Sequence, residues 1–371
     1  MHLFQELHLQ EELPENSKSL PPYHRNVNCN FSVMRDKIPV YKIYFLSKTS
    51  VFITLAKVKN SQDREIVLYS GINSHRIESF SVRQQVEHHY ETTREVYIMK
   101  IFIDSADLDE IRQAFEWGIA DGVTTNPSLL KKAVDKRVSK GESLDLKSYI
   151  TQILETAGKT PVSLEVTETA AKGMITQGLK IYEMFNAVAG NVNIKIPVNP
   201  AFQNDDVTHF DGIQAIKTLT GKGIPVNCTL VFTPEQALLA AKAGATYISP
   251  FAGRVDDDLR KKAEMKFDKT DYFSAEGTIH EDMLLEDNGI VSGIDLVAQC
   301  VDIVTHYGFP SEILAASLRN TRQVREAALA GSHIATLPFS VIRDMLKHHK
   351  TYEGMKLFTN DIVPDYVKLT K

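Results

Sequence analysis

Lys195 stands inside NVNIKIPVNP (residues 191–200), a run whose Val192, Ile194, Ile196 and Val198 read as a buried strand. Burial disfavours an ammonium and raises the fraction of free amine, and a free amine can attack a carbonyl to form a Schiff base. The resulting iminium draws electrons from an adjacent carbon–carbon bond as it breaks or forms. The plainer reading is an ion pair between Lys195 and Glu165 or Asp104. Both acids fall at the ends of other apolar runs, where each can move a proton on and off oxygen or nitrogen. The plainer readings here are a helix N-cap for Asp104, in DSADLDE, and an ordinary pairing for Glu165. Thr124, Thr125, Asn126, Asn227, Thr229 and Ser249 add hydroxyls and amides at similar positions. Arg254, Ser317 and Arg319 propose a phosphate, since guanidinium forks and a hydroxyl suit an anion and a helix starting near Thr321 adds its positive end. Arginines are also common on plain surfaces.

Such residues meet only if their elements converge. From residue 100 the chain alternates β-branched runs with amphipathic stretches, the pattern of βα units. The predicted strands are 100–103, 122–124, 162–166, 192–196, 225–229, 246–250, 312–316 and 333–337. The predicted helices are 108–117, 146–157, 171–188, 212–220, 234–243, 293–307, 321–330 and 338–348. Eight units in about 250 residues make the α/β class and a closed (β/α)8 TIM barrel the expected architecture, with chemistry at the C-terminal strand ends. An open doubly wound sheet competes, but it usually carries a glycine-rich turn after its first strand, which DSADLDE lacks. Residues 131–144 and 254–290 read as long, charged, solvated connections. Asp256, Asp257 and Asp258 are discounted as a metal site, because three consecutive carboxylates do not readily converge on one ion. Residues 352–371 read as a tail with a short helical piece, packing against a neighbouring subunit.

The chain has 371 residues, 43% of them apolar, and a formal net charge of -5. That balance argues against a nucleic-acid partner, which usually calls for a basic stripe. Three widely spaced cysteines suggest neither a disulfide framework nor a zinc site and fit a reducing, cytoplasmic setting. The acidic start does not read as a secretory signal, and Ile38 to Ala56, broken by Pro39, Lys42 and Lys48, is a poor membrane span. No membrane partner is expected. Composition breaks near residue 99: residues 1–98 hold one glycine, Gly71, and one alanine, Ala56, while the other eighteen glycines follow. VYKIYFLS and VFITLAKV in that first region could form strands. Residues 1–98 read as an N-terminal extension of unknown role, either a wrongly joined or unstructured upstream segment or a small accessory domain.

IFIDSAD, GVTTNPSLL, LEV, IKIPV, VNCTLVF, ISPFAGR, AASLRN and IATLP together resemble the transaldolase family, particularly the compact branch that includes fructose-6-phosphate aldolase. The resemblance covers roughly 99–371 and none of 1–98. It implies a class I aldolase barrel, without a cofactor or metal, acting on phosphorylated sugars. By that resemblance Lys195 is the Schiff-base lysine, Asp104 the acid/base at the C4 hydroxyl, and Glu165 with Thr229 the pair that positions a catalytic water. Asn126 and Asn227 bind donor hydroxyls, Ser249 likewise lines the site, and Arg254, Ser317 and Arg319 form the phosphate pocket, with Thr124 and Phe251 as further candidates to bind substrate. Glu165 and Phe251 look like transaldolases, whereas the aldolases of this branch carry glutamine and tyrosine there. A carboxylate and a non-donating ring should favour holding the dihydroxyacetone carbanion over protonating it. The resemblance therefore implies transfer of dihydroxyacetone from sedoheptulose 7-phosphate or fructose 6-phosphate to an aldose phosphate, in the pentose phosphate pathway. It also implies a homo-oligomer. The rivals are an aldolase that releases free dihydroxyacetone and a catalytically silent sugar-phosphate-binding barrel.

Overall fold

The computed structural model describes residues 98–141 and 143–369, together with the backbone of residues 40–45 and 52–56. The chain divides into two units, Met1–Val96 and Tyr97–Lys371. In the first, β1 (Val40–Phe45) pairs antiparallel with β2 (Phe52–Ala56), on the two alternating runs expected to form strands. The remaining readings of residues 1–98, as extension or accessory domain, lie outside the described residues.

In the second unit eight parallel strands close into a barrel: β3 (Lys100–Asp104), β4 (Gly122–Thr124), β5 (Val162–Glu165), β6 (Val192–Pro197), β7 (Val226–Val231), β8 (Tyr247–Pro250), β11 (Glu312–Ala315) and β12 (Ile334–Leu337). A short hairpin, β9 (Ile279–His280) with β10 (Met283–Leu284), lies between β8 and β11 in sequence. The fold is the (β/α)8 barrel. Residues at alternate strand positions face opposite sides. Ile103, Ile194, Ile196, Cys228, Ile248 and Ala335 join the main core. The other register gives a second cluster of Phe102, Tyr247, Leu314, Ala316 and Ile334, in which the Phe102 and Tyr247 rings meet edge to face at 5.8 Å. Gly122 pairs with Phe102, and a Cβ at Gly122 would stand 2.7 Å from that ring. Glycine is what lets so large a side chain plug the lumen.

Helices follow most strands: α1 (Leu108–Glu116), α2 (Pro127–Val138), α3 (Leu146–Ala157), α4 (Ala171–Ala189), α5 (Asp211–Thr220), α6 (Pro234–Ala243), α7 (Ala252–Lys262), α8 (Gly293–His306), α9 (Thr321–Leu329), α10 (Phe339–Asp344), α11 (His349–Asn360) and α12 (Pro364–Lys368). Among the described residues no helix is long and apolar enough to cross a membrane.

Two of these helices correct the sequence reading. Most of 131–144 belongs to α2, which Asn126 caps by accepting from the Leu129 N–H and which buries only Ala133. Its charges include the one-turn pair Lys131–Asp135, so the apolar periodicity that marks a helix is nearly absent. The start of 254–290 is α7, whose buried face includes Val255, Leu259 and also Asp256, Asp257 and Arg260. Charge on the inward face hides a helix from any reading of apolar spacing. The tail is two helices, α11 and α12, with no buried residue in either. Helix α10 is shorter than the predicted 338–348.

Candidate active site

The barrel's in-register pairing brings the chemistry together. Glu165 pairs with Lys195 across β5 and β6, Lys195 with Asn227 across β6 and β7, and Asp104 with Thr124 across β3 and β4. Paired residues on neighbouring strands point to one face, so a lysine placed by alternation into the lumen meets its partners without any loop to carry them.

Lys195 is 6% exposed. Its Nζ donates to the Thr125 carbonyl at 3.1 Å and lies 3.2 Å from Glu165 Oε2. The ion-pair reading of Lys195 and its place in a cavity therefore hold together. That cavity, of about 100 Å³, is lined by Asp104, Thr124, Asn126, Lys195, Asn227, Thr229, Ser249, Phe251, Arg254, Leu314, Ala316, Ser317 and Thr336. It is small and lined mostly by polar side chains.

Asp104 is not the helix cap that DSADLDE allowed, because Asp107 fills that role for α1 by accepting from the Asp109 N–H. The Asp104 carboxylate accepts from the Thr124 hydroxyl at 2.7 Å, and Thr124 and Thr336 share a hydrogen bond of 2.5 Å. With Asp104 ionised, the single Thr124 proton points to it and Thr336 donates to Thr124. Burial pushes the Asp104 carboxyl above the usual range, opposed by Lys195, the Thr124 hydrogen bond and Arg254. A carboxyl shifted that way is better matched to proton transfer near neutral pH.

Asn227 is fully buried and anchored twice: its Nδ2 donates to Ser163 Oγ at 3.0 Å, and its Oδ1 accepts from Ser249 Oγ at 2.7 Å. Thr229 is 1% exposed, and its hydroxyl has no hydrogen-bond partner among the described residues. Buried hydroxyls are almost always satisfied, so this one calls for a water or a ligand atom. Asn126 commits its Oδ1 to the Leu129 N–H, as the cap of α2, which leaves its amide for the cavity.

At the rim, Phe251 immediately precedes α7, and the Arg254 guanidinium lies over its ring at 5.0 Å with no ion-pair partner among the described residues. Ser317 has φ +61°, a left-handed conformation costly for a residue with a Cβ and often found where a site is held under strain. Its carbonyl passes so close to Gly253 that a Cβ there would stand 2.2 Å away. Arg319 does not line the Lys195 cavity. It lines an adjoining one of about 540 Å³, together with Arg254, Asp257, Asp258, Lys261, Lys269 and Asp287, and Arg254 borders both. The three consecutive aspartates take three different partners. Asp256 accepts from the Gly293 N–H and from Gln323, Asp257 from Arg319, and Asp258 pairs with Lys262. Among the described residues no three histidine, cysteine or acidic groups converge as metal ligands.

Thr336 and Ser163 escape the sequence reading, although HIATL and VSLEV both read as strands. Counting alternate positions back from Glu165, and along β12 from Ile334, puts both in the lumen.

Comparison with known proteins bears on what this arrangement is for. The family described as Transaldolase/Fructose-6-phosphate aldolase matches residues 101–368. A "Probable transaldolase" of Chlorobium phaeobacteroides (strain BS1) is 42% identical over 263 residues, covering 71% of this chain and 97% of that protein. One of Chlorobium limicola (strain DSM 245 / NBRC 103803 / 6330) is 42% identical over the same length and coverage. Another, of Petrotoga mobilis (strain DSM 10674 / SJ95), is 38% identical over 272 residues, 73% of this chain and 98% of its own.

Proposed function

This chain belongs to the transaldolase/fructose-6-phosphate aldolase family, and from that premise we propose that it is a transaldolase working through a Schiff base on Lys195. The observation that carries the reading is a buried amine, 3.2 Å from a carboxylate, at the floor of a cavity that Asp104 also lines. The Lys195 amine adds to the C2 carbonyl of a ketose phosphate, and loss of water leaves the iminium. Asp104, as carboxylate, takes the proton of the C4 hydroxyl while the C3–C4 bond breaks and its electrons pass into the iminium. The shortened aldose phosphate leaves, and a three-carbon enamine of dihydroxyacetone remains on Lys195. Attack of that enamine on the aldehyde of an incoming aldose phosphate, with the proton returned from Asp104, reverses the sequence on a new acceptor.

The remaining groups fit the steps that need water and orientation. Glu165 and Thr229 hold the water lost and regained at C2, which would satisfy the unpartnered Thr229 hydroxyl. Asn126 and Asn227, the latter fixed by Ser163 and Ser249, hold the hydroxyls of the three-carbon unit. Arg254, Ser317 and Arg319 take the phosphate at the rim. The Phe251 ring offers no proton to the enamine, and this favours transfer over release.

An acceptor-dependence assay tests the reading. With fructose 6-phosphate and a four-carbon aldose phosphate, sedoheptulose 7-phosphate and glyceraldehyde 3-phosphate should form together, and omitting the acceptor should abolish steady turnover. Free dihydroxyacetone produced at the same rate without acceptor would make the chain an aldolase instead, and binding without turnover would make it a silent sugar-phosphate barrel.

A further inference from the structure

A guanidinium has five N–H donors in one plane, and the protein itself uses three of Arg319's. Nη1 and Nη2 each donate to one oxygen of Asp257, at 2.5 and 2.7 Å, and Nη1 also donates to the Lys269 carbonyl at 3.3 Å. Left over are the Nε hydrogen and the second Nη2 hydrogen. These two point the same way along one edge, and among the described residues neither has a partner. Such an edge is the two-donor fork that matches two oxygens of a phosphate. It borders Gly253, where a Cβ would stand 3.1 Å from Nε. A side chain at that point would crowd the edge, and Gly253 is followed directly by Arg254.

The backbone of Arg319 is held from the first turn of α9. Its N–H donates to Gln323 Oε1 at 2.8 Å, and Gln323 Nε2 donates to Asp256 Oδ2 at 2.8 Å. Adjacent residues of α7 therefore fix Arg319 twice, Asp256 through Gln323 and Asp257 through the guanidinium. Asp257 is 7% exposed, so this pair is little screened by water.

We propose that Asp257 is a positioning residue: it clamps the Arg319 guanidinium so that a preformed two-donor edge faces the phosphoryl group of the sugar substrate. The proposal rests on the reading that this rim takes the phosphate. Asp257 offsets part of the Arg319 charge, which by itself would weaken anion binding. Arg254, with no carboxylate partner among the described residues, supplies the uncompensated charge, while Arg319 supplies geometry. Holding a donor pair in its bound orientation removes an ordering cost from association.

The test compares the full-length protein with Asp257→Asn, which keeps shape and loses charge, and with Asp257→Ala, by three measurements. The KM for fructose 6-phosphate should rise about tenfold or more in both variants, with kcat little changed. Binding of inorganic phosphate, measured by calorimetry, should weaken by a similar factor. Borohydride trapping with dihydroxyacetone, which carries no phosphate, should be unaffected. Combining Asp257→Ala with Arg319→Ala should cost no more than Arg319→Ala alone. Unchanged KM, tighter phosphate binding, or equal loss with and without a phosphate on the ligand would each overturn the proposal. Should the alanine variant fail to fold, the asparagine variant decides. Should the unmodified protein turn over no ketose phosphate, the functional reading fails while the calorimetry still judges Asp257.

Discussion

The floor and the rim of the candidate site are built in different ways. At the floor, Asp104, Thr124, Glu165, Lys195, Asn227 and Thr229 are side chains of barrel strands, locked by parallel pairing in register. At the rim, Arg254 sits in the first turn of α7, and Ser317 and Arg319 in the connection from β11 to α9, where side chains of Asp257 and of Gln323, itself tied to Asp256, hold Arg319. A floor fixed by backbone can hold reacting atoms to the fraction of an ångström that bond making requires. A rim fixed by side-chain clamps can hold donors in place for the end of the substrate that does not react. Floor substitutions should therefore lower kcat, and rim substitutions should raise KM for phosphorylated sugars.

The sharpest way to break that contrast is Lys195→Ala, for which kcat/KM should fall by about 10⁴-fold or more with circular dichroism unchanged, as expected when the nucleophile itself is removed. Asp104→Asn comes next, with kcat lower by about 10²- to 10⁴-fold. On the proposed mechanism, protonation of Asp104 in the unmodified protein removes its function as a base. Because burial raises its pKa, activity should decline on the acid side at a pH above the ordinary carboxylate range. The asparagine variant should lose that limb of the pH profile while still trapping a ketose on Lys195. At the rim, Arg254→Ala should raise the KM for fructose 6-phosphate about tenfold to a hundredfold, with kcat within a few-fold. A matching fall in kcat would erase the distinction between the two regions.

Smaller effects refine it. Thr229→Val should lower kcat about tenfold in steady-state assays without lowering thermal stability, since among the described residues no group loses a hydrogen bond when that hydroxyl goes. Asp256 links the rim to pH. Burial pushes its carboxyl up to about 6, so the folded protein keeps that proton at pH values where the unfolded chain has lost it. The stability this contributes is complete below the ordinary carboxylate pKa and disappears as pH rises through about 6. Its size is at most about 3 kcal/mol. A Tm series from pH 4 to 7 should flatten in Asp256→Asn.

The same contrast explains what is legible in the sequence. Strand alternation reads directly as lumen or core, so all eight barrel strands and the floor residues Lys195, Asp104, Glu165 and Thr229 stand out from residue type and spacing. Helix α7 does not, because its buried face carries Asp256, Asp257 and Arg260 where apolar spacing is sought. For the same reason the three aspartates look like one solvated run, when each has its own partner. Helix α2 is masked by its charge, since it buries a single alanine. The place of Arg319 after β11 points to the phosphate, but its carboxylate clamp comes from 62 residues away in the chain, and no spacing rule reaches that far.

The central claim is that the Lys195 amine bonds to the keto carbon of a sugar. Reducing the protein with borohydride in the presence of fructose 6-phosphate, then mapping its peptides by mass spectrometry, addresses this most directly. The account predicts a reduced three-carbon adduct on Lys195 and on no other lysine. An unmodified Lys195 in protein that is turning over substrate would contradict it.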